Sequence, residues 1–296
     1  MEHKISENKL IEIYCFVDEC VKILNEYYAE NLAEHYYVYK SGLSMSEMIT
    51  IQILYHLSGY KTFEYFYNSL NYNYLHNYFP NIPNIKSFYE RQKKTSVYLI
   101  GVLLMKISLS KKNGIYYIDS TKIEVCKASR MSRNKVFLNY AKKSKTSTGW
   151  FFGFKLHLVI NELGEIVSYR ITTGDVADNN LQLLQQLLSG LKGKCFGDKG
   201  YISSLFSSFY ENGLKIVTGL RANMKNQIID LNEAKLLKKR GLIEAVNDIL
   251  KSVCDLEHSR HRSVEHAIQS MHCAVIAYSF LDNKPELILK NFLCAA

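Results

Sequence analysis

A chain of 296 residues, 47% hydrophobic and 22% charged, has enough apolar material for one large domain or two modest ones. Its longest nearly unbroken apolar stretch, Val97 to Met105, is far shorter than the roughly 20 residues a membrane span needs, and Met1-Glu2-His3-Lys4 opens no signal-peptide pattern. A cytoplasmic protein without a membrane partner is expected. Its seven cysteines are odd in number and form no Cys-x-x-Cys pair, so they read as reduced thiols. The net charge of +9 is unevenly spread: residues 1–113 hold 12 Lys+Arg against 11 Asp+Glu, the remainder 25 against 17. Between Asp119 and Lys155 nine basic residues stand against two acids. Such a segment suits a polyanionic partner, although a solvated basic face would have the same composition.

The first 113 residues hold 15 of the 22 tyrosines and read as helices. Glu7 to Leu24 is apolar at helical spacing. Ser44 with Glu47 makes a capping box for a helix to Leu57, closed by Gly59, and Thr62 begins another. Two helices across a glycine turn suit either a helix-turn-helix or a small bundle. Pro80 and Pro83, in the Asn-rich stretch Asn71 to Asn84, mark a loop, and Ser87 with Glu90 is expected to cap a helix to about Ser108. Residues 1–113 are thus read as a helical, candidate DNA-binding region.

Lys111-Lys112-Asn113-Gly114 marks a boundary, and the pattern beyond it alternates. One strand runs through Ile115-Tyr116-Tyr117-Ile118 to Asp119, with a possible continuation to Val125. A polar basic loop fills Lys127 to Thr148. Phe152 to Ile160 and Glu165 to Thr172 form a hairpin across Asn161 to Gly164. Asp178 is the expected N-cap of a helix through Leu191, Lys194 to Gly197 a strand, and Ser204 to Asn212 a helix closed by Gly213. Leu214 to Gly219 is a strand and Glu233 to Val253 one long helix. This order predicts an α/β fold, a ribonuclease H-like domain over 114–296 with a mixed central sheet flanked by helices.

Asp119 and Asp198 are each expected at a strand end, on neighbouring strands, where both side chains reach one site. A hydrated Mg²⁺ takes few protein ligands, mostly carboxylates, and two such ions can serve the attacking and leaving oxygens of a phosphodiester. For a third acid, Arg240, Glu244, Asn247 and Lys251 form one polar stripe on the last helix beside the apolar stripe Ile243, Val246, Leu250 and Val253. Glu244 reads equally as a surface acid paired with Arg240 or Lys251.

These residues carry a resemblance. Arg240, Glu244 and Lys251, at spacings of four and seven, look like the Arg-Glu-Lys signature of DDE transposases from bacterial insertion sequences. Gly197-Asp198-Lys199-Gly200-Tyr201 and Tyr117-Ile118-Asp119-Ser120-Thr121 resemble the segments around that family's second and first Asp. Phe154-Lys155-Leu156-His157-Leu158 and Glu257-His258-Ser259-Arg260-His261-Arg262-Ser263 are similar to sequences of the insertion sequence 982 group. The signature's Tyr, three residues before its Arg, is here Leu237, so no role for that Tyr transfers. The resemblance implies Mg²⁺-dependent cleavage at the ends of a mobile element, with Mn²⁺ as a substitute ion, followed by attack of the freed 3′-hydroxyl on target DNA. Asp119, Asp198 and Glu244 would be the catalytic metal ligands of two ions. Arg240, Lys251, Lys199, Lys155, Arg260 and Arg262 would contact DNA. It further implies double-stranded DNA as partner, in element terminal repeats and target, a homodimer in synapsis, and a bacterial, nucleoid-associated location. A nuclease without strand transfer and a non-catalytic DNA-binding derivative are the alternatives.

Other candidates are weaker. Cys254, His258, His261, His266, His272 and Cys273 match no standard zinc spacing. His157 reads as a structural histidine, and Trp150, the only tryptophan, as a packing residue with base stacking as the alternative. Asp175 and Asp178 read as capping residues. Gly-rich phosphate loops and nucleophile elbows are absent.

Overall fold

The computed structural model describes residues 5–31, 42–146, 149–201, 204–219, 230–257 and 261–287. In chain order its helices begin with α1 (Glu7–Asn31), α2 (Met45–Ser58), α3 (Phe63–Ser69), α4 (Ile85–Gln92) and α5 (Ser96–Ser108). The strands β1 (Ile115–Glu124), β2 (Lys142–Thr146), β3 (Gly149–Asn161) and β4 (Ile166–Thr173) follow, then α6 (Leu181–Leu188), β5 (Gly193–Gly197), α7 (Phe206–Glu211) and β6 (Leu214–Thr218). The last helices are α8 (Leu231–Lys238), α9 (Gly241–Ser252) and α10 (Val264–Ser279). Contacts divide the chain into a helical unit, Met1–Lys106 with Leu250–Leu281, and a sheet unit, Ile107–Ile249 with Asp282–Ala296.

In the helical unit α1 buries Leu10, Ile13, Val17 and Val21, a stripe at helical spacing, and packs on α2. The capping box at Ser44 and Glu47 forms on both sides, and Gly59 ends α2 in the left-handed region at φ 74°. Almost all of α2 is buried, between α1 and α10. Two of its buried polar residues are bonded across the unit: Gln52 accepts from Gln92, and His56 Nδ1 lies 2.7 Å from the Cys254 carbonyl. The seven residues of α3 include no Lys or Arg. Asn84 caps α4 instead of Ser87: its extended backbone lets Oδ1 accept from the Ser87 amide at 3.0 Å.

The sheet unit holds a six-stranded mixed sheet. Over its opening residues β3 pairs with β2, and over the rest with both β1 and β4, all antiparallel. β1, β5 and β6 run parallel. Gly153 marks the close passage of β1 past β3, since a Cβ there would stand 1.9 Å from the Ile123 carbonyl oxygen. One face of the sheet buries Tyr116, Ile118, Val159 and Cys195 under Leu183, Leu184, Leu187 and Leu188 of α6. Each such leucine contributes about 1.5–3 kcal/mol by leaving water.

Three local expectations are corrected. β2 lies inside the expected loop; its Lys-Lys-Ser-Lys-Thr has no apolar alternation, and pairing with β3 alone makes it a strand. Asn180, not Asp178, caps α6, its side chain accepting from the Leu183 amide. The long helix expected from Glu233 to Val253 is two helices: Lys239 donates back to the carbonyls of Leu236 and Leu237, which closes α8, and α9 restarts at Gly241.

Candidate active site

Tyr117 of β1 pairs with Phe196 of β5, and Asp119 and Asp198 each lie two residues beyond that rung. Adjacent strands are about 4.8 Å apart, so the register brings both acids to one end of the sheet. Alternation sends Asp119 to the face occupied by Tyr117, whose hydroxyl donates to the Leu236 carbonyl of α8 at 3.1 Å. Helix α8 is anchored there by Glu233, 3% exposed, between Lys215 at 2.7 Å and Lys194 at 2.9 Å. Helix α9 thereby comes over the Asp119 end of the sheet.

Three acids gather around one guanidinium. Arg240, in the break between α8 and α9, donates from Nη1 to Asp198 Oδ1 at 2.9 Å, and its Nη2 is 3.7 Å from Glu244 Oε1. Asp119 feels Arg240, Asp178 and Glu244 electrostatically, and Asn247 donates to its Oδ2 at 3.2 Å. Burial raises the Asp119 carboxyl to about 6; the Ser120 amide and Arg240 oppose the rise, while the charges of Asp178 and Glu244 add to it. At Asp198 burial also works against ionisation, but the Lys199 amide, 2.7 Å away, and Arg240 outweigh it and hold the carboxyl below its ordinary value.

On the opposite face, Ser120 donates to Asp178 Oδ1 at 2.8 Å, and Lys155 donates to the same oxygen at 3.2 Å and to the Val176 carbonyl at 2.9 Å. His157, fully buried, is bonded through Nε2 to Thr172 at 2.9 Å, and burial lowers it to about 4, so it is a neutral, hydrogen-bonded histidine at pH 7.

The donor set suits Mg²⁺ or Mn²⁺: carboxylate oxygens only, one of them on a part-buried acid whose ionised form a nearby cation favours. Among the described residues no three His, Cys, Asp or Glu side chains are tight enough to enclose an ion by themselves. Arg240 is the cation of the cluster in this arrangement.

The sequence model of the Transposase DDE domain matches residues 109–264, just over half of the chain and a span that includes all three acids. The chain belongs to this transposase family. None of the curated proteins matches it in sequence. A solved structure similar to the transposase is the cryo-EM piggyBac transposase synaptic complex with hairpin DNA, at TM-score 0.47 and 10% identity, covering 92% of this chain and 73% of that one.

The basic residues expected to contact DNA are differently disposed in this transposase. Arg240 is committed to Asp198 and Glu244, and Lys155, 12% exposed, to Asp178 and Val176. Lys251, in the helical unit, pairs with Glu257 at 3.1 Å. Lys199 is exposed beside Asp198. Arg262 is exposed and lines a cavity of about 850 Å³ in the helical unit, with Tyr65, Tyr89 and Lys93. Arg260 lies outside the described residues. Two neighbours of Asp119 escaped sequence reasoning in these roles: Asn247, visible only as a member of the polar stripe, and Asp178, which reads as a cap. No helix among the described residues is long and apolar enough to cross a membrane.

Proposed function

We propose that this transposase cuts DNA at the ends of an insertion sequence of the 982 type and joins the freed 3′-hydroxyl to target DNA. The observation that carries the reading is the convergence of Asp119, Asp198 and Glu244, from two strand ends and a helix, around Arg240. The strand order, with an antiparallel β1, β3, β4 set beside parallel β5 and β6, supports a ribonuclease H-like catalytic domain.

Asp119, Asp198 and Glu244 would hold the divalent ions, which when bound supply charge stabilisation for a phosphodiester under attack. Asn247 keeps Asp119 Oδ2 oriented toward α9 while the carboxyl is ionised. Arg240 neutralises the acids before ions and DNA arrive, then becomes available to a phosphate oxygen, for which its planar fork is suited. Lys199, beside Asp198, and Lys251 and Arg262 offer further phosphate contacts, Lys251 on releasing Glu257. Lys155 acts by holding Asp178 and the Val176 carbonyl. The substrate is double-stranded DNA in terminal repeats and target, and two protomers meet in synapsis.

Purified protein incubated with the DNA ends that flank its gene, Mg²⁺ and a target plasmid tests this. Strand cleavage with joined products is expected. Cleavage without joining would make it a nuclease, and binding without cleavage a DNA-binding derivative.

A further inference from the structure

Residues 125–161 contain no Asp or Glu and eight Lys or Arg, and every one of these except Lys155 is exposed. None of the seven exposed cations has a carboxylate partner among the described residues. In the middle of this segment β2 and β3 form a hairpin in which Lys145 is directly opposite Trp150 and Lys143 opposite Phe152. Cross-strand partners share a face and alternation returns every second residue to it, so Lys143, Lys145 and Trp150 lie on one side. The ammonium of Lys143 is 4.6 Å from the indole centroid and that of Lys145 6.0 Å, yet Trp150 remains 55% exposed.

Lysines on a strand with one partner also discourage pairing with another chain, but that role requires no exposed tryptophan. A large indole in water, flanked by ammonium groups that no acid among the described residues neutralises, has the parts of a single-strand platform: a ring for one base and cations for the phosphates beside it. In a duplex both faces of an internal base are covered by its neighbours, so only an unpaired or terminal base can stack there.

We propose that the β2–β3 hairpin is a grip for unpaired DNA, with one base stacked on Trp150 and its flanking phosphates on Lys143 and Lys145. This rests on DNA being the substrate and adds that the enzyme engages a strand whose bases have separated.

Trp150 is the only tryptophan, so its emission reports on this surface alone. The full chain is titrated with oligothymidylate and with a closed circular duplex, which has no terminal bases, at equal nucleotide concentration, and single-strand binding is followed in parallel by anisotropy of the labelled oligonucleotide. Quenching by the single strand well beyond that by the duplex is expected. Trp150→Ala should weaken single-strand binding by roughly tenfold while Trp150→Phe stays near wild type. Lys143→Gln with Lys145→Gln should reduce the slope of log K against log salt by about 1.4, the value for two lost single-strand phosphate contacts. Thermal unfolding of each variant within a degree or so of wild type checks that folding is intact. Single-strand binding with unchanged Trp150 emission, or equal quenching by duplex or by heparin, would overturn the grip and leave the cleavage reading standing. Absence of any DNA binding would overturn both.

Discussion

Arg240 Nη1 is 2.9 Å from Asp198 Oδ1, while Nη2 of the same guanidinium is 3.7 Å from Glu244 Oε1. One side chain thus neutralises two of the three acids, and it sits in the break between α8 and α9 where a continuous helix was expected. Replacing Arg240 by Gln leaves the carboxylates without their resident cation. The variant should bind Mn²⁺ a few-fold more tightly in the absence of DNA, measured by electron paramagnetic resonance, and bind DNA more weakly. Unchanged Mn²⁺ affinity would mean that Arg240 does not occupy the place of an ion.

Asp119 carries the pH dependence. Its folded carboxyl titrates near 6 because of burial, against an ordinary value of 3.8, so between those values the folded state keeps a proton that the unfolded chain has lost. Stability therefore falls as pH rises through that window. With chelator present, Asp119→Asn should be more stable than wild type at pH 8 by about 1–3 kcal/mol in urea unfolding, and no different at pH 3.5. A gain that is the same at both pH values would show that it does not come from the charge.

Glu233 fastens α8 to β5 and β6 through Lys194 and Lys215, and α8 leads into the turn that positions Arg240. Burial opposes its ionisation, but the two lysines prevail and hold the carboxyl below 4.5. A depressed folded value gives stability that is present above the ordinary carboxylate range and lost in acid. Glu233→Gln should cost about 1–3 kcal/mol at pH 7, with the difference closing as the pH falls below the carboxylate range. A variant as stable as wild type at pH 7 would remove Glu233 from the account of how α9 is placed.

Much of this site is legible along the chain because its decisive features are local. The apolar run before Asp119 and the Cys195-Phe196-Gly197 run before Asp198 are strands in the structure, paired in the register that aligns the acids. The polar stripe likewise turns Glu244 and Asn247 toward the cluster. What was illegible depends on distant partners. β2 has no pattern of its own and becomes a strand through β3. The break at Arg240 is hidden because apolar residues keep helical spacing on both sides of it. Asp178 and Asn180 are both good capping residues two positions apart, and only Ser120 and Lys155 decide that Asp178 is used elsewhere.

The central claim is that Asp119, Asp198 and Glu244 act as one catalytic set. Single-turnover cleavage of element-end DNA in Mg²⁺, measured for Asp119→Ala, Asp198→Ala and Glu244→Ala at DNA concentrations that saturate binding, tests it most directly. Each variant is expected to bind DNA and to lose cleavage by at least about 10³-fold, since charge stabilisation at the reacting phosphate is lost with any one of the three. Cleavage at near wild-type rate by any one of them would contradict the assignment.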